Sequence, residues 1–160
     1  MNIIGIDIGE KGVLAVMTNG QIQDVYKMPW GILSKRKALD VDKFERLLNQ
    51  IIDEYQIDVI ALERASMHLQ SQKTSSAMWF SYGLMIGVIK RSKIKYIELD
   101  NKTWQKEFGI KGDTKAQSIS ICEALFPTLE LRFERQKANT KNNNISDAVL
   151  IAEYVRRKKL

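Results

Sequence analysis

Cysteine, histidine and proline are scarce in this chain of 160 residues, which holds one Cys, one His and two Pro. The lone thiol, Cys122, leaves no internal disulfide, so a reducing compartment is expected and the protein is read as cytoplasmic. His68 is the sole histidine, which excludes a Cys/His zinc pattern, and no Gly-rich Walker loop occurs. There is no run of about 18 uncharged apolar residues, so no membrane span is expected. The opening MNIIGIDIG lacks the basic flank and long apolar stretch of a signal peptide and reads as a strand. Internal repeats are absent, and low complexity is confined to Asn142, Asn143 and Asn144 and the closing Arg156-Arg157-Lys158-Lys159.

What is present is a globular composition, 44% hydrophobic and 28% charged, at a length that suits one core and hence a single domain over residues 1–160. Lys and Arg exceed Asp and Glu by 25 to 19, a formal charge of +6 that suits a polyanionic partner. Residues 3–8 form a β-branched run, turned by Gly9, Glu10, Lys11 and Gly12 into a second run at 13–17. Asn19-Gly20 then offers the positive-φ pair of a tight hairpin before 21–27, so an antiparallel three-strand meander is predicted. From Asp42, capped by itself or Asp40, the residues Phe44, Leu47, Leu48, Ile51, Ile52 and Tyr55 follow one helical face. A buried strand at 59–62 ends on Glu63.

After a polar loop at 64–73, a second helix is predicted from a cap at Thr74, Ser75 or Ser76 to about Lys90. Its apolar residues point nearly all round the axis, so one face meets the sheet and another needs a second cover, from a dimer contact or a larger core. Residues 96–99 read as a fifth strand, 102–108 as a short helix, and 114–126 as a helix stopped by Pro127. The last helix is predicted to start near Ser146. This order gives an α/β layer fold: a mixed five-stranded sheet, three antiparallel N-terminal strands and two further strands, flanked by helices.

Three acids stand out. Asp7 lies in an apolar strand, where an uncompensated carboxylate is expensive. Glu63 ends the strand VIALE in the same way, and Asp147 begins a helix just before an apolar run. A mixed sheet makes the first strand and the strand of Glu63 neighbours, with the last helix across them. Converging acids repel one another, and oxygen-ligated Mg²⁺ or Mn²⁺ is the usual compensation. Two such ions, about 3.5–4 Å apart, would activate water and stabilise the leaving oxygen of a phosphodiester. Each acid also has a structural reading: Asp147 as a helix-start residue favoured by the macrodipole, Glu63 as an ion-pair partner of Arg64 or a nearby Lys.

On these motifs the chain resembles the RuvC-type Holliday junction resolvases of the RNase H-like superfamily, with their phage and poxvirus relatives, over nearly its whole length. GIDIG at 5–9 is similar to the family's first-strand motif, ALER at 61–64 to its second acid, and SDAVLIA at 146–152 to its final helix. NKTWQKEFGIKGDTKAQ at 101–117 is similar to the segment that supplies functional lysines, here Lys102 and Lys115. The resemblance implies an RNase H-like nuclease domain with Asp7, Glu63, Asp147, Lys102 and Lys115 as catalytic residues. It implies Mg²⁺ or Mn²⁺, two ions per site, held by Asp7, Glu63, Asp147 and Asn144. Asn144 stands where the family has Asp or His, and brings a carbonyl oxygen without charge. Also implied is a homodimer, here through the helix of residues 75–90, that nicks four-way or branched DNA symmetrically. In the loop after Glu63, where some members carry an aromatic at the junction centre, this chain has Ser66 and Met67.

Basic clusters at Lys35-Arg36-Lys37, at Lys90-Arg91 with Lys93 and Lys95, and at the C-terminus can grip phosphates or serve as solvated surface. Lys35, Arg36, Lys37, Arg64, Met67 and Lys73 are the residues expected at DNA. Trp79, Phe80 and Tyr82 are read as core and dimer contacts, and Trp104 as packing of its short helix. Metal-dependent resolution of Holliday junctions is the leading reading. The alternatives are a non-catalytic or cleavage-impaired junction-binding protein and a RuvC-like ribosomal RNA processing nuclease. GIDIGEKG is also similar to the phosphate hairpin of sugar-kinase and actin-like ATPases, but that class needs two domains and a far longer chain.

Overall fold

The N-terminal apolar runs become β1 (Asn2–Asp7), β2 (Val13–Thr18) and β3 (Gln21–Lys27), an antiparallel meander. Its hairpin turns at Asn19 and Gly20, with φ of 52° and 77°, the left-handed pair that matches strand twist. The computed structural model describes residues 1–33, 35–65, 72–112, 114–133 and 141–160, and at residues 36 and 72–75 only the backbone. Two strands absent from the sequence prediction follow: β4 (Trp30–Leu33) and β5 (Arg36–Leu39), a separate two-stranded hairpin. Helix α1 (Val41–Tyr55) is capped by Asp40, whose side chain accepts from the Lys43 N–H, and it buries Phe44, Leu48 and Ile51.

Strand β6 (Val59–Glu63), helix α2 (Gln72–Arg91) and strand β7 (Lys95–Leu99) come next. Helix α2 starts before Thr74, so the three residues proposed as its cap lie inside it. Then follow α3 (Asn101–Glu107), α4 (Thr114–Leu125) and α5 (Asn143–Lys158). The main sheet has the order β3-β2-β1-β6-β7, with β1, β6 and β7 parallel. It is the mixed five-stranded sheet of an RNase H-like fold, as expected.

Alternation along the central strands divides the core in two. Ile4, Ile6, Ile60 and Leu62 face α1 and α2, with Phe44, Leu48, Tyr82, Met85 and Ile89 packed on them. Ile3, Val59 and Ala61 face the other way, toward α5 and toward Trp104 and Cys122. The Cys122 thiol is fully buried and burial pushes its pKa up to about 12, so it serves as a core residue. Helix α5 buries nearly every residue from Ile145 to Ala152. It lies so close to β1 that a Cβ added at Gly5 would sit 2.1 Å from the Ala148 carbonyl oxygen and 2.8 Å from the Ala152 nitrogen. Gly5 is therefore the contact that brings the last helix onto the first strand.

Candidate active site

The alternation that sorts the core also places the acids. Asp7 shares its face of β1 with Ile3 and Gly5, and Glu63 shares its face of β6 with Val59 and Ala61. The parallel register pairs Gly5 with Ala61 and Ile6 with Leu62, so the two acids end adjacent strands side by side. Both point toward α5, where Asp147 immediately precedes the Ala148 that rests on Gly5. The site thus forms at the carboxyl ends of the parallel strands, the usual place for a site in an open α/β sheet.

Helix α5 begins at Asn143 rather than Ser146, with Asn142 as its cap. This corrects the sequence reading of Asp147 as a helix-start acid: it lies beyond the first turn, where the macrodipole does little for it. The Arg64 reading of Glu63 fails as well, since Arg64 reaches Asp100 at 3.3 Å and Glu98 at 3.9 Å. Glu63 instead accepts a hydrogen bond from the Trp104 indole N–H at 3.3 Å. Trp104 is buried as expected, and its second task, holding a carboxylate, had no signal in the sequence.

Electrostatically the three acids are one group. Burial, then Asp147 and Glu63, raise the Asp7 pKa well above the usual carboxylate range. Burial and Asp147 push Glu63 up to about 7, with the Trp104 N–H pulling back. Burial raises Asp147 too, opposed by hydrogen bonds from Ser118 and Asn143 and by the Lys115 charge. Among the described residues no cation comes within ion-pair distance of any of them. Nor does any group of three His, Cys, Asp or Glu among the described residues close into a ready metal cage. The donor set still fits a hard divalent cation: oxygen ligands on three elements, gathered with their mutual repulsion only partly offset.

Around these acids the expected residues divide. Lys115, second in α4, lies close enough to lower the Asp147 pKa, whereas Lys102 is exposed in the first turn of α3. Asn144 is in the first turn of α5, where its amide donates to the Lys11 carbonyl at 2.7 Å and its Oδ1 accepts from Asn143 at 3.1 Å. As it stands, it clamps α5 to the turn after β1. Lys35 occupies the β4–β5 turn with φ of 65°, and Lys37 pairs with Glu10. Of Arg36 and Lys73 only the backbone is described, while Ser66, Met67 and His68 lie outside the described residues.

Sequence reasoning missed a cleft of about 530 Å³ beside the acids, lined by Lys11, Lys27, Lys115 and Lys141 with Asn142, Asn143 and Asn144. Glu10 is the one acid in its lining among the described residues. The Lys27 ammonium rests 4.7 Å above the Phe133 ring, and Lys141 reaches Glu123 at 2.5 Å. These lysines are far apart in sequence, so no charge cluster announced them. Trp30 has a role the sequence did not signal: its indole N–H donates to the Gly9 carbonyl at 2.5 Å and fixes the turn that follows Asp7.

Comparison with known proteins bears on the fold. A model of the family DUF3882, described as Lactococcus phage M3 protein, matches residues 32–157. No curated protein sequence matches the chain. Among solved structures it is similar to Thermus thermophilus RuvC in complex with Holliday junction substrate. That likeness has 13% identity and a TM-score of 0.63, and covers 99% of this chain and 96% of that one. The fowlpox virus resolvase with substrate Holliday junction DNA gives 17% identity and a TM-score of 0.56, covering 100% and 99%. The yeast mitochondrial Holliday junction resolvase gives 14% and 0.59, covering 97% and 77%. The chain therefore has the RuvC-type resolvase fold that its motifs resemble.

Proposed function

This chain belongs to the family DUF3882, Lactococcus phage M3 protein, and we propose that it is a metal-dependent endonuclease that cuts branched DNA, four-way junctions above all, by paired symmetric nicks. The observation that carries this reading is the convergence of Asp7, Glu63 and Asp147 at one end of the sheet, with no cation in ion-pair contact among the described residues, beside a lysine-lined cleft. The likeness to resolvases solved with junction DNA supports the choice of substrate.

Asp7, Glu63 and Asp147 would hold Mg²⁺ or Mn²⁺, two ions per site. Such ions, when bound, supply an acidified water and neutralise charge on the cleaved phosphate. The rest of the work falls to the chain's own groups. The Trp104 N–H fixes the Glu63 carboxylate, and Asn143, donating at 3.4 Å, fixes that of Asp147. Lys115 lies where its cation can meet charge growing on the phosphate, and Lys102 is the second cation of that role. The cleft lysines draw the strand in by its phosphates.

Symmetric nicking needs two sites, and α2 supplies a surface for pairing them. Phe80 is 52% exposed and Trp79 36%, and a Cβ at Gly83 or Gly87 would meet nothing within 4 Å. An exposed aromatic and small-residue helix face lets a second copy approach closely. This exposed face supports the reading of a homodimer through α2.

The test incubates the protein with a four-way junction, a linear duplex and an RNA–DNA hybrid of equal length, in Mn²⁺ and in EDTA. Metal-dependent paired nicks in the junction alone are expected. Tight junction binding without cutting would instead make the protein a binding module, and hydrolysis of the hybrid would point to RNA processing.

A further inference from the structure

The most buried polar side chains among the described residues are Ser81, Ser118, Ser146 and Glu153. Two of them have evident partners: Glu153 is held by Arg156 and Arg157, and Ser81 Oγ accepts from the Leu39 N–H at 3.2 Å, tying β5 to α2. The other two, Ser118 and Ser146, are 1% and 0% exposed and meet across the seam between α4 and α5, their hydroxyl oxygens 3.0 Å apart. Alanine would fill such a seam without burying a hydroxyl, so the pair has a task beyond filling space.

The two hydroxyls are the middle of a longer chain of contacts. Ser118 Oγ lies 3.1 Å from the carbonyl oxygen of Lys115, one turn back in α4. Ser146 Oγ lies 2.8 Å from the carbonyl oxygen of Asn143, one turn back in α5. Each hydroxyl has a single proton, so two protons serve three contacts. Were both spent within their own helices, two oxygens would face each other at 3.0 Å with no proton between them, so one proton crosses the seam. The crossing bond links the backbone of Lys115 to the backbone of Asn143. Those are two residues whose side chains act on Asp147: the Asn143 amide donates to it at 3.4 Å, and the Lys115 ammonium acts on it as a charge. Both also line the lysine cleft. Lys115 is only the second residue of α4 and Asn143 the first of α5, and helix ends fray unless they are tied.

We propose that Ser118 and Ser146 are positioning residues of the cleavage site: their hydroxyl pair locks the start of α4 onto the start of α5, and so sets Lys115 and Asn143 against Asp147. This rests on the reading of the protein as a metal-dependent nuclease. Buried as they are, the serines act through the two residues one turn back rather than on substrate. Further along the same helices, Cys122 of α4 and Val149 and Ala152 of α5 belong to one apolar core. Folding therefore has other support, while the orientation of the site depends on the hydroxyls. Groups that orient a metal-binding carboxylate from behind matter to metal affinity and rate nearly as the ligand does.

The test compares the full wild-type chain with Ser118→Ala, Ser146→Ala and the double variant by three readings. These are the metal-free melting temperature, Mn²⁺ affinity without DNA from the paramagnetic resonance of free Mn²⁺, and single-turnover cutting of a four-way junction at saturating Mn²⁺. The double variant is expected to melt close to wild type, since both partners of the crossing bond go together. Its Mn²⁺ affinity and its cleavage rate should each fall roughly tenfold. In a Lys115→Ala background the same substitutions should lower the rate less than about twofold, because the lysine they place is gone. Ser118→Cys, close in volume and a poor donor, should behave as Ser118→Ala does. Rate losses of equal size with and without Lys115 would overturn the proposal, and so would a double variant that melts far below wild type, which would make the pair a folding element. If wild type cuts junctions and the double variant binds Mn²⁺ and cuts equally well, the positioning role falls and the nuclease reading stands. If wild type neither binds Mn²⁺ nor cuts, both fall.

Discussion

Helix α5 carries two acids with opposite fates. Glu153, 3% exposed, is clasped within its own helix by Arg156 at 2.6 Å and Arg157 at 2.8 Å. Burial resists its ionisation, yet the two guanidiniums hold its pKa below the usual range. Asp147, nearer the start of the same helix, has no arginine, and burial raises its pKa. Asp7 and Glu63 share its situation. A carboxylate kept for structure comes with its cations, as at Glu153. Three gathered with no cation in ion-pair contact among the described residues, and only the more distant charge of Lys115 beside them, fit a site that could hold a metal.

Removing the cations at one end should hurt far more than removing an acid at the other. Arg156→Met with Arg157→Met leaves Glu153 buried and uncompensated, and should cost about 3 kcal/mol in denaturant unfolding. The pH response comes next. Burial and Asp147 push the Glu63 pKa up to about 7 in the folded chain from 4.5 for the free group, so the unfolded state releases its proton first as pH rises. Stability is therefore lost between those values, by roughly 3 kcal/mol, and the penalty is complete above the folded value. Asp7, also raised, adds in the same direction. Metal-free protein should melt lower at pH 8 than at pH 5, and Mn²⁺ should shrink the difference. Glu63→Gln should remove much of this slope, and a slope unchanged by it would break the comparison.

Asp7→Asn should then stabilise the metal-free protein by about 1 kcal/mol at pH 8, opposite in sign to the arginine variant, because it removes repulsion. It should also reduce the rise in melting temperature that Mn²⁺ gives. An effect of similar size and opposite sign belongs to Trp104→Phe, which keeps a ring in the core and deletes one hydrogen bond to Glu63. Roughly a tenfold loss in cleavage rate is expected, with unfolding stability lowered by about 1 kcal/mol.

The acids were legible because each interrupts, ends or directly precedes an apolar run, a pattern that burial makes costly and therefore informative. The sheet was legible too, through alternation and the Asn19-Gly20 turn. The β4–β5 hairpin was not: WGIL and RKAL do not alternate in the usual way, and a left-handed lysine, Lys35, stands where a glycine would have signalled a turn. The start of α5 was hidden because Asn142 caps it from within a run of asparagines. Trp104 and Trp30 act through single indole N–H groups whose acceptors, Glu63 and Gly9, are remote in sequence. The lysine cleft is assembled from a turn, a strand and two later segments, so only the fold could show it.

The most direct measurement compares cleavage of one four-way junction in Mn²⁺ by wild-type protein and by Asp7→Asn. The account predicts paired nicks from the wild type and a loss of roughly 10³-fold or more in rate for the variant, with junction binding retained or tightened. A variant that cuts at the wild-type rate would contradict it, and so would wild-type cutting that persists in EDTA.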